Sequence, residues 1–364
     1  MRRPASIAIA LHDLPLGGTE RIALRLARGW RDQGVAVTLL CGDPRGPMRA
    51  LLPEGVRLLP LDPPIPRGWG ARRRLATAMA RALAAAPVDA CFIPGNYHWP
   101  LVPALAGLPA AIRPALLVQI SSPLVLPQRR GLRQAWFEQR MRRRLAGATR
   151  CIAMDADGRR EADRILGRAI TRVVPLPALD PDAPPPRPAP AAPHLLAAGR
   201  FIRQKGFDVL IEALARLRRP EIRLTLAGGG PEDAALRALA AARGVAGQIR
   251  FAGIVPDIRP LLDAARLFVM PSRFEGYGAV IPEALGAGRA VVATRITPAA
   301  RDLLGDPATG LMVPPGDPAA LAIAIAEALA MPPPDPARLA AGVAAYRLDR
   351  GAPAYLAALA EAMA

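Results

Sequence analysis

Two doubly wound α/β domains in series, each built on a parallel sheet, are the architecture that this sequence predicts. Three observations carry the prediction. Short, β-compatible apolar runs alternate with helical patterns almost throughout; a proline-rich stretch over residues 175–193 interrupts the alternation once; and a second full set of runs follows it. A length of 364 residues suits two domains of ~150 residues, each with its own core.

Taken in order, the runs of the first half are SIAIAL, VAVTLL, VRLLPL, DACFIP, ALLVQI and TRCIAM. Between them, stretches such as Thr19 to Gln33 and Arg72 to Ala86 repeat their apolar residues at helical spacing. Pro175 to Pro193 then reads PLPALDPDAPPPRPAPAAP, nine prolines in nineteen residues. Proline lacks an N–H and fixes φ, so this segment forms neither a helix nor a central strand and is predicted to be a semi-rigid linker. Beyond it come HLLAAGR, IRLTLAGG, QIRFAG, RLFVMPS, RAVVATR and GLMVPP, with helices from about Lys205, Pro231, Asp257, Ala279 and Pro318. A last helical segment, roughly Arg350 to Ala364, has no strand to accompany it. The predicted boundaries are therefore 1–176, a linker over 177–193, a second domain over 194–346 and a terminal helix over 347–364.

Composition narrows the partners. The net charge is +18, and of 48 basic residues a single one, Lys205, is lysine. Such a charge suits polyanions: nucleic acid, an acidic membrane surface or phosphorylated substrates. Aromatics are only 4% of the chain, without basic and aromatic interleaving or a helix-turn-helix or zinc pattern, which argues against nucleic acid. The densest basic run, residues 129–150, sets eight arginines against one glutamate, with Leu132, Trp136, Phe137, Met141 and Leu145 as apolar positions. It reads as a basic amphipathic helix, lying either on its own domain or on an anionic membrane surface. Cys41, Cys91 and Cys151 lie far apart in apolar runs, without metal-ligand spacing, as buried thiols of a reducing compartment do. No apolar run reaches the ~18 residues of a spanning helix, and the first, Ile7 to Leu11, is short for a signal peptide. A cytoplasmic protein that touches a membrane at most peripherally is expected.

In open parallel sheets ligands bind beyond the carboxyl ends of the strands, so the loops that follow strands are where chemistry is sought. Gly17 and Gly18 precede the first helix, either as a tight turn or as a cradle where a helix N-terminus meets an anion. In GRFIRQKGFDVL, Arg200 and Lys205 follow a strand and precede a helix; they are either solvated loop cations or a pair converging on phosphate oxygens, arginine as a flat fork and lysine as a compact, movable charge. In MPSRFEGYGAVIPEALGAG a strand ends at Pro271 and a glycine-rich loop leads into a helix near Ala279. Gly276, Gly278 and the following N–H groups form a second potential anion cradle. Glu275 in the loop and Glu283 on the helix are either an ordinary loop carboxylate and an exposed helix carboxylate or a pair that grips two ends of an elongated, hydroxyl-rich ligand such as a nucleotide-sugar.

The segments GRFIRQKGFDVLIEA, LAGGGPE, FAGIVPD, MPSRFEGYGAVIPEALGAG and GLMVPPGDPAALAIAI closely resemble the donor-binding domain of glycosyltransferase family 4, the retaining GT-B enzymes, and GGTERIALRLARGW resembles their first domain more loosely. The resemblance implies a hexosyltransferase with two Rossmann-like domains facing across a cleft, a nucleotide-sugar as donor, no metal or other cofactor, and a glycan or lipid-linked acceptor in bacterial surface-polysaccharide, lipopolysaccharide or lipid-linked glycan synthesis. It implies that Arg200 and Lys205 bind the donor diphosphate, that Glu283 holds the ribose, and that Glu275 with the amides of Gly276, Tyr277 and Gly278 orients the hexose. The N–H groups near Ala279 and Val280 add to the phosphate cradle, backbone at Ile254 to Pro256 meets the base, Gly17 and Gly18 approach the donor, and the terminal helix crosses back to the first domain. Retention of configuration implies front-face attack with the departing phosphate taking the acceptor's proton, unlike a hydrolase with two flanking carboxylates.

The chain departs from the family pattern on the acceptor side. Where many relatives carry a histidine after the fifth strand, this sequence has Ser121 and Ser122, and His98, after the preceding strand, either compensates or is a packing or acceptor-wall residue beside Trp99. TRITPAARDLL replaces a glycine-rich turn and glutamate, leaving Asp302 as a substitute. The alternatives to a transferase are a GT-B nucleotide-sugar epimerase or hydrolase, which needs acid/base residues that the first domain scarcely offers, and a non-catalytic polyanion-binding protein.

Overall fold

The computed structural model describes residues 3–15, 17–125 and 131–363. They fall into two compact units, Met1–Pro181 with Tyr346–Ala364, and Asp182–Ala345. Arg129 and Arg130 of the basic run and Ala364 of the terminal helix lie outside the described residues.

In the first unit, strands β1 (Ser6–Asp13), β2 (Ala36–Asp43), β3 (Arg57–Pro60), β4 (Ala90–Ile93), β5 (Ala115–Ile120), β6 (Arg150–Ala153) and β7 (Thr171–Val173) alternate with helices α1 (Gly18–Arg31), α2 (Ala71–Ala85), α3 (Val102–Ala106), α4 (Leu132–Leu145) and α5 (Ala156–Leu166). The sheet is parallel, in the order β3-β2-β1-β4-β5-β6-β7. β1 is central: Ile9 stands opposite Leu39 on one side and Phe92 on the other, all fully buried. Helices on both faces leave the central strands no wet side, hence apolar runs rather than alternation. The sequence predicted six strands here, and the seventh, β7, escaped because Thr171 is its one buried residue while Arg172 and Val173 face solvent. α4 divides its apolar residues. Met141 and Leu145 are buried and Phe137 packs against the same core, but Leu132 and Trp136, one turn apart on another side of the helix, are 89% and 64% exposed.

The second unit repeats the plan with β8 (His194–Ala198), β9 (Arg223–Ala227), β10 (Ile249–Gly253), β11 (Leu267–Met270), β12 (Ala290–Thr294) and β13 (Gly310–Val313), and with α6 (Phe207–Leu217), α7 (Asp233–Ala242), α8 (Arg259–Ala264), α9 (Val280–Gly286), α10 (Pro298–Leu303), α11 (Pro318–Ala330) and α12 (Pro336–Gly342). Its parallel sheet runs β10-β9-β8-β11-β12-β13. Asp317 starts α11 by accepting from the N–H groups of Ala319 and Ala320, with Pro318 at the first helical position.

The last helix, α13 (Leu348–Met363), packs on α1 of the first unit. A Cβ on Gly29 would come within 2.7 Å of the Ala352 methyl, so glycine is what lets the two helices approach, and Trp30 Nε1 donates to Ala352 O at 3.1 Å. Tyr355 is fully buried edge-on to Phe92, with ring centroids 5.7 Å apart. The proline-rich segment is anchored at both ends. Leu179 bridges to Arg347, while Pro184 and Pro185 offer their carbonyls to Arg259, both at 2.5 Å, and Arg187 offers its own to the buried Arg289 at 2.7 Å. Prolines lack N–H groups but keep acceptors, and arginine forks supply the missing donors. Among the described residues no helix is long and apolar enough to cross a membrane.

Candidate functional site

Each sheet has one place where the strand order reverses, between β1 and β4 in the first unit and between β8 and β11 in the second. Loops leaving neighbouring strands diverge there and open a crevice at the carboxyl edge.

In the second unit the crevice is built by two loops locked together. After β8, Gly199 takes φ +150°, and a Cβ there would lie 3.4 Å from Lys205 Cε, so the lysine stem runs back over bare backbone. Arg203–Lys205 form a single 3-10 turn, and α6 begins only at Phe207, slightly later than the sequence suggested, because Gly206 breaks the path at φ +67°. A Cβ on Gly206 would sit 2.1 Å from Pro271 O. Only glycine therefore lets this loop lie against the end of β11. Polar contacts complete the lock: Gln204 Nε2 donates to Phe274 O at 2.9 Å, Arg273 N donates to Gln204 O at 2.8 Å, and the Arg273 guanidinium grips Asp208 at 2.6 and 2.7 Å. Burial would raise the Asp208 pKa, but the hydrogen bonds and charge of Arg273 outweigh it and hold the carboxyl below its ordinary range.

On this platform Lys205 Nζ forms an ion pair with Glu275 Oε1, which also accepts a hydrogen bond from Ser272 Oγ at 2.8 Å. Ser272 is itself held, its carbonyl accepting from Thr294 Oγ1 at 2.6 Å. Glu275 is buried and Lys205 partly so. Gly276 follows, Tyr277 turns inward, and Gly278, at φ +93°, leads through Ala279 into α9, which starts at Val280 and carries the half-buried Glu283. Arg200 is exposed on the β8 loop. Ile254, just past β10, is 62% exposed and lies against Gly229, where a Cβ would meet it at 3.2 Å. Asp302 is exposed on α10.

In the first unit Gly17 caps α1 in an extended conformation, and a Cβ there would collide with Glu20 Oε2 at 2.2 Å, so the glutamate folds back over the helix start. Gly18 is open. Gly95, at φ +77°, brings the β4 loop against both Ser121 Oγ and Thr19, 2.9 and 3.3 Å from its would-be Cβ. Asn96 Oδ1 accepts from Ser121 N and Oγ, both at 3.0 Å, and its amide nitrogen donates to Ser122 Oγ. The serines and the helix start thus do meet at one edge. His98 does not present itself there. It is buried, its Nδ1–H donates to Pro94 O at 2.8 Å, and its Nε2 accepts from His12 N at 3.1 Å, so both ring nitrogens serve the backbone. Burial lowers its pKa to about 4. The expectation that His98 compensates for a missing acceptor-side histidine is corrected on that ground. Beside it, Arg67 forks onto Asp13 at 2.6 Å through both nitrogens and stacks 4.4 Å from the Tyr97 ring centre, while Tyr97 Oη donates to His12 Nδ1 at 3.0 Å. All three cysteines are buried, and desolvation pushes the Cys91 thiol up to about 12. Among the described residues no group of three or more His, Cys, Asp or Glu side chains is gathered for a metal.

Residues 17–179 match the family model described as "Glycosyl transferase 4-like domain" and residues 192–331 the one described as "Glycosyl transferases group 1", together more than four fifths of the chain. The chain is a GT-B glycosyltransferase of the family 4 type. The lipopolysaccharide core biosynthesis glycosyltransferase LpsE of Rhizobium meliloti (strain 1021) is 44% identical to this protein over 139 residues, 38% of this chain and 40% of that one. A GDP-mannose-dependent alpha-(1-6)-phosphatidylinositol monomannoside mannosyltransferase of Mycolicibacterium smegmatis is 37% identical over 149 residues, 38% of this chain and 39% of that one. These matches span about two fifths of the relatives' own length. At the level of fold, Anabaena Alr3699/HepE, solved with UDP and glucose, superposes with a TM-score of 0.71 over 98% of this chain and 97% of its own at 19% identity. S. aureus TarM does so with a TM-score of 0.77 over 99% of both at 11% identity.

Two parts of the candidate site were missed in the sequence: the Arg273–Asp208 clamp, and Asn96 as the residue that gathers the two serines. Asp208 and Arg273 are 65 residues apart and each looks like an ordinary surface charge. Asn96 stood in plain view two residues before His98, and only the fold shows which of them faces Ser121.

Proposed function

We propose that this protein transfers a hexose from a nucleotide-sugar to an acceptor hydroxyl with retention of configuration, in the assembly of bacterial surface polysaccharide, lipopolysaccharide or lipid-linked glycan. The observation that carries the reading is the Lys205–Glu275–Ser272 group at the carboxyl edge of β8 and β11, with glycine backbone on both sides of it. Support comes from relatives named for lipopolysaccharide core and mannosyl transfer and from a structural neighbour that holds UDP and glucose.

In this reading Lys205, with Arg200 from the same loop, takes the donor diphosphate, and Glu275 is released to the hexose hydroxyls. The amides of Gly276, Tyr277 and Gly278 help to orient the sugar, those near Ala279 and Val280 add to the phosphate cradle, Glu283 holds the ribose, and Ile254 to Pro256 meet the base. Gly17 and Gly18 approach the donor, and Ser121 and Ser122 line the acceptor side. The acceptor oxygen attacks the anomeric carbon on the face that the phosphate leaves; the carbon–oxygen bond to phosphate breaks, and the departing phosphate accepts the acceptor's proton. Negative charge grows on the diphosphate in this step, and preorganised cations and amides stabilise it without reorganising. No protein nucleophile and no metal enter the scheme.

A thermal-shift screen of UDP-, GDP- and ADP-sugars on the wild type and on Lys205→Ala tests the reading. One donor should stabilise the wild type and lose most of that effect in the variant; absence of any nucleotide-sugar effect on the wild type overturns it. With the stabilising donor in hand, transfer in excess EDTA should match the untreated rate, and loss of turnover would remove the metal-free scheme.

A further inference from the structure

Three of the most exposed large apolar side chains belong to the first unit: Trp69 at 97%, Leu132 at 89% and Trp136 at 64%. Trp69 is held out between Gly68 and Gly70, directly before Arg72, Arg73 and Arg74 at the start of α2. Leu132 and Trp136 stand on α4 with Arg133, Arg140 and Arg143 around them. The two helices cover one hydrophobic core cluster, which holds Leu75 and Met79 of α2 and Met141 and Leu145 of α4.

The charges here are one-sided. Residues 67–74 contain no carboxylate, and the described part of the 129–150 run contains only Glu138, which is committed to Arg164 at 2.8 Å and to Gln134 at 2.9 Å. Among the described residues no carboxylate pairs with Arg72, Arg133, Arg140, Arg143 or Arg144. Arg140 stacks on Trp136 at 4.6 Å, and its buried Nε has no hydrogen-bond partner. Burial first, then the charges of Arg140 and Arg72, hold the Arg144 pKa below its usual range, so Arg144 feels one cation of its own helix and one of α2. Like charges gathered without counter-charges lower their energy when an anion arrives. A free anion accounts for the arginines but leaves two exposed tryptophans and a leucine unexplained.

We propose that the outward face of α4, the Trp69 loop and the start of α2 form one docking surface for a bilayer of anionic lipids. Trp69, Leu132 and Trp136 enter the interfacial layer, where an aromatic ring with a polar edge is at home, and the arginines take the headgroup phosphates. The pattern extends the basic run beyond α4 to residues 67–74 and divides the labour between apolar anchors and phosphate-binding guanidinium groups. It does not depend on the transferase reading, because binding is measured with no donor or acceptor present.

The experiment is flotation of the full chain with vesicles of equal parts phosphatidylglycerol and phosphatidylcholine, and with phosphatidylcholine alone. The protein should float with the anionic vesicles only, and added salt should release it. Trp69→Ala with Leu132→Ser and Trp136→Ala should lower the bound fraction about tenfold, as should Arg140→Gln with Arg143→Gln and Arg144→Gln, the latter also flattening the salt dependence. All the apolar positions changed are exposed, and tryptophan fluorescence gives a second readout: a blue shift on anionic vesicles that shrinks in Trp136→Phe. Equal binding to neutral vesicles, full binding by both triple variants, or tighter binding to random duplex DNA than to the vesicles each overturns the proposal.

Discussion

Lys205 is the one lysine among 48 basic residues, and its ammonium pairs with Glu275 while the side chain stays partly exposed. An ion pair with one exposed edge can exchange partners, so a diphosphate that draws Lys205 away also uncovers Glu275. Lys205→Ala should weaken donor binding or turnover about a hundredfold, and Glu275→Gln combined with it should cost less than the sum of the two singles, as coupled residues do. Strict additivity in calorimetry and steady-state kinetics would mean that the pair is not the shared element. Lys205→Arg is the sharper variant: near-normal kcat would show that a compact charge is not required at this position. His98 answers to pH instead. Its folded pKa is about 4 against an ordinary 6.5. On acidification the unfolded chain takes up this proton first, so the stability this residue contributes is complete above pH 6.5 and is lost as pH falls toward about 4. Urea unfolding should show up to about 3 kcal/mol lost over that window, with a shallower slope in His98→Gln; equal slopes would contradict the burial assigned to it. At this scale the loop residues after β8 and β11 were legible in the sequence, because their spacing from a strand end is local. The fate of His98 was not. Whether a histidine beside a tryptophan lines a wall or serves the backbone depends on where β1 passes, 86 residues earlier.

At the scale of elements, the β8–α6 and β11–α9 connections behave as one part, because Gly206 allows backbone to touch backbone and Arg273 clamps Asp208 across the contact. Gly206→Ala puts a Cβ 2.1 Å from Pro271 O at a positive φ and should cost about 3 kcal/mol of stability. It should also abolish donor-induced stabilisation; unchanged donor affinity in a folded Gly206→Ala protein would separate the lock from the site. Strand and helix order was readable here because fully covered strands are continuous apolar runs. β7 was not, since a short edge strand with two exposed residues carries no run, and α4 was read as a single apolar face because helical periodicity does not say which of two neighbouring ridges meets the core.

For the molecule as a whole, α13 belongs to the unit whose first strand begins at Ser6, through Gly29, Trp30 and Tyr355. Tyr355→Ala removes a fully buried ring wedged against Phe92 and should destabilise the first unit by about 3–5 kcal/mol. Nucleotide affinity, read by calorimetry below the transition, should change little, because all the proposed donor contacts except Gly17 and Gly18 belong to the second unit. The sequence by itself determined the class of each unit, the position of the proline-rich break and the loops richest in glycine and charge, because these follow from periodicity and from neighbours along the chain. Only the tertiary structure decided that Lys205 meets Glu275, that His98 is spent on backbone, that Asn96 gathers the two serines, and that Trp136 looks outward. Burial and ion pairing are set by residues distant in the chain that the sheet order brings together, and no local pattern encodes which of them will meet.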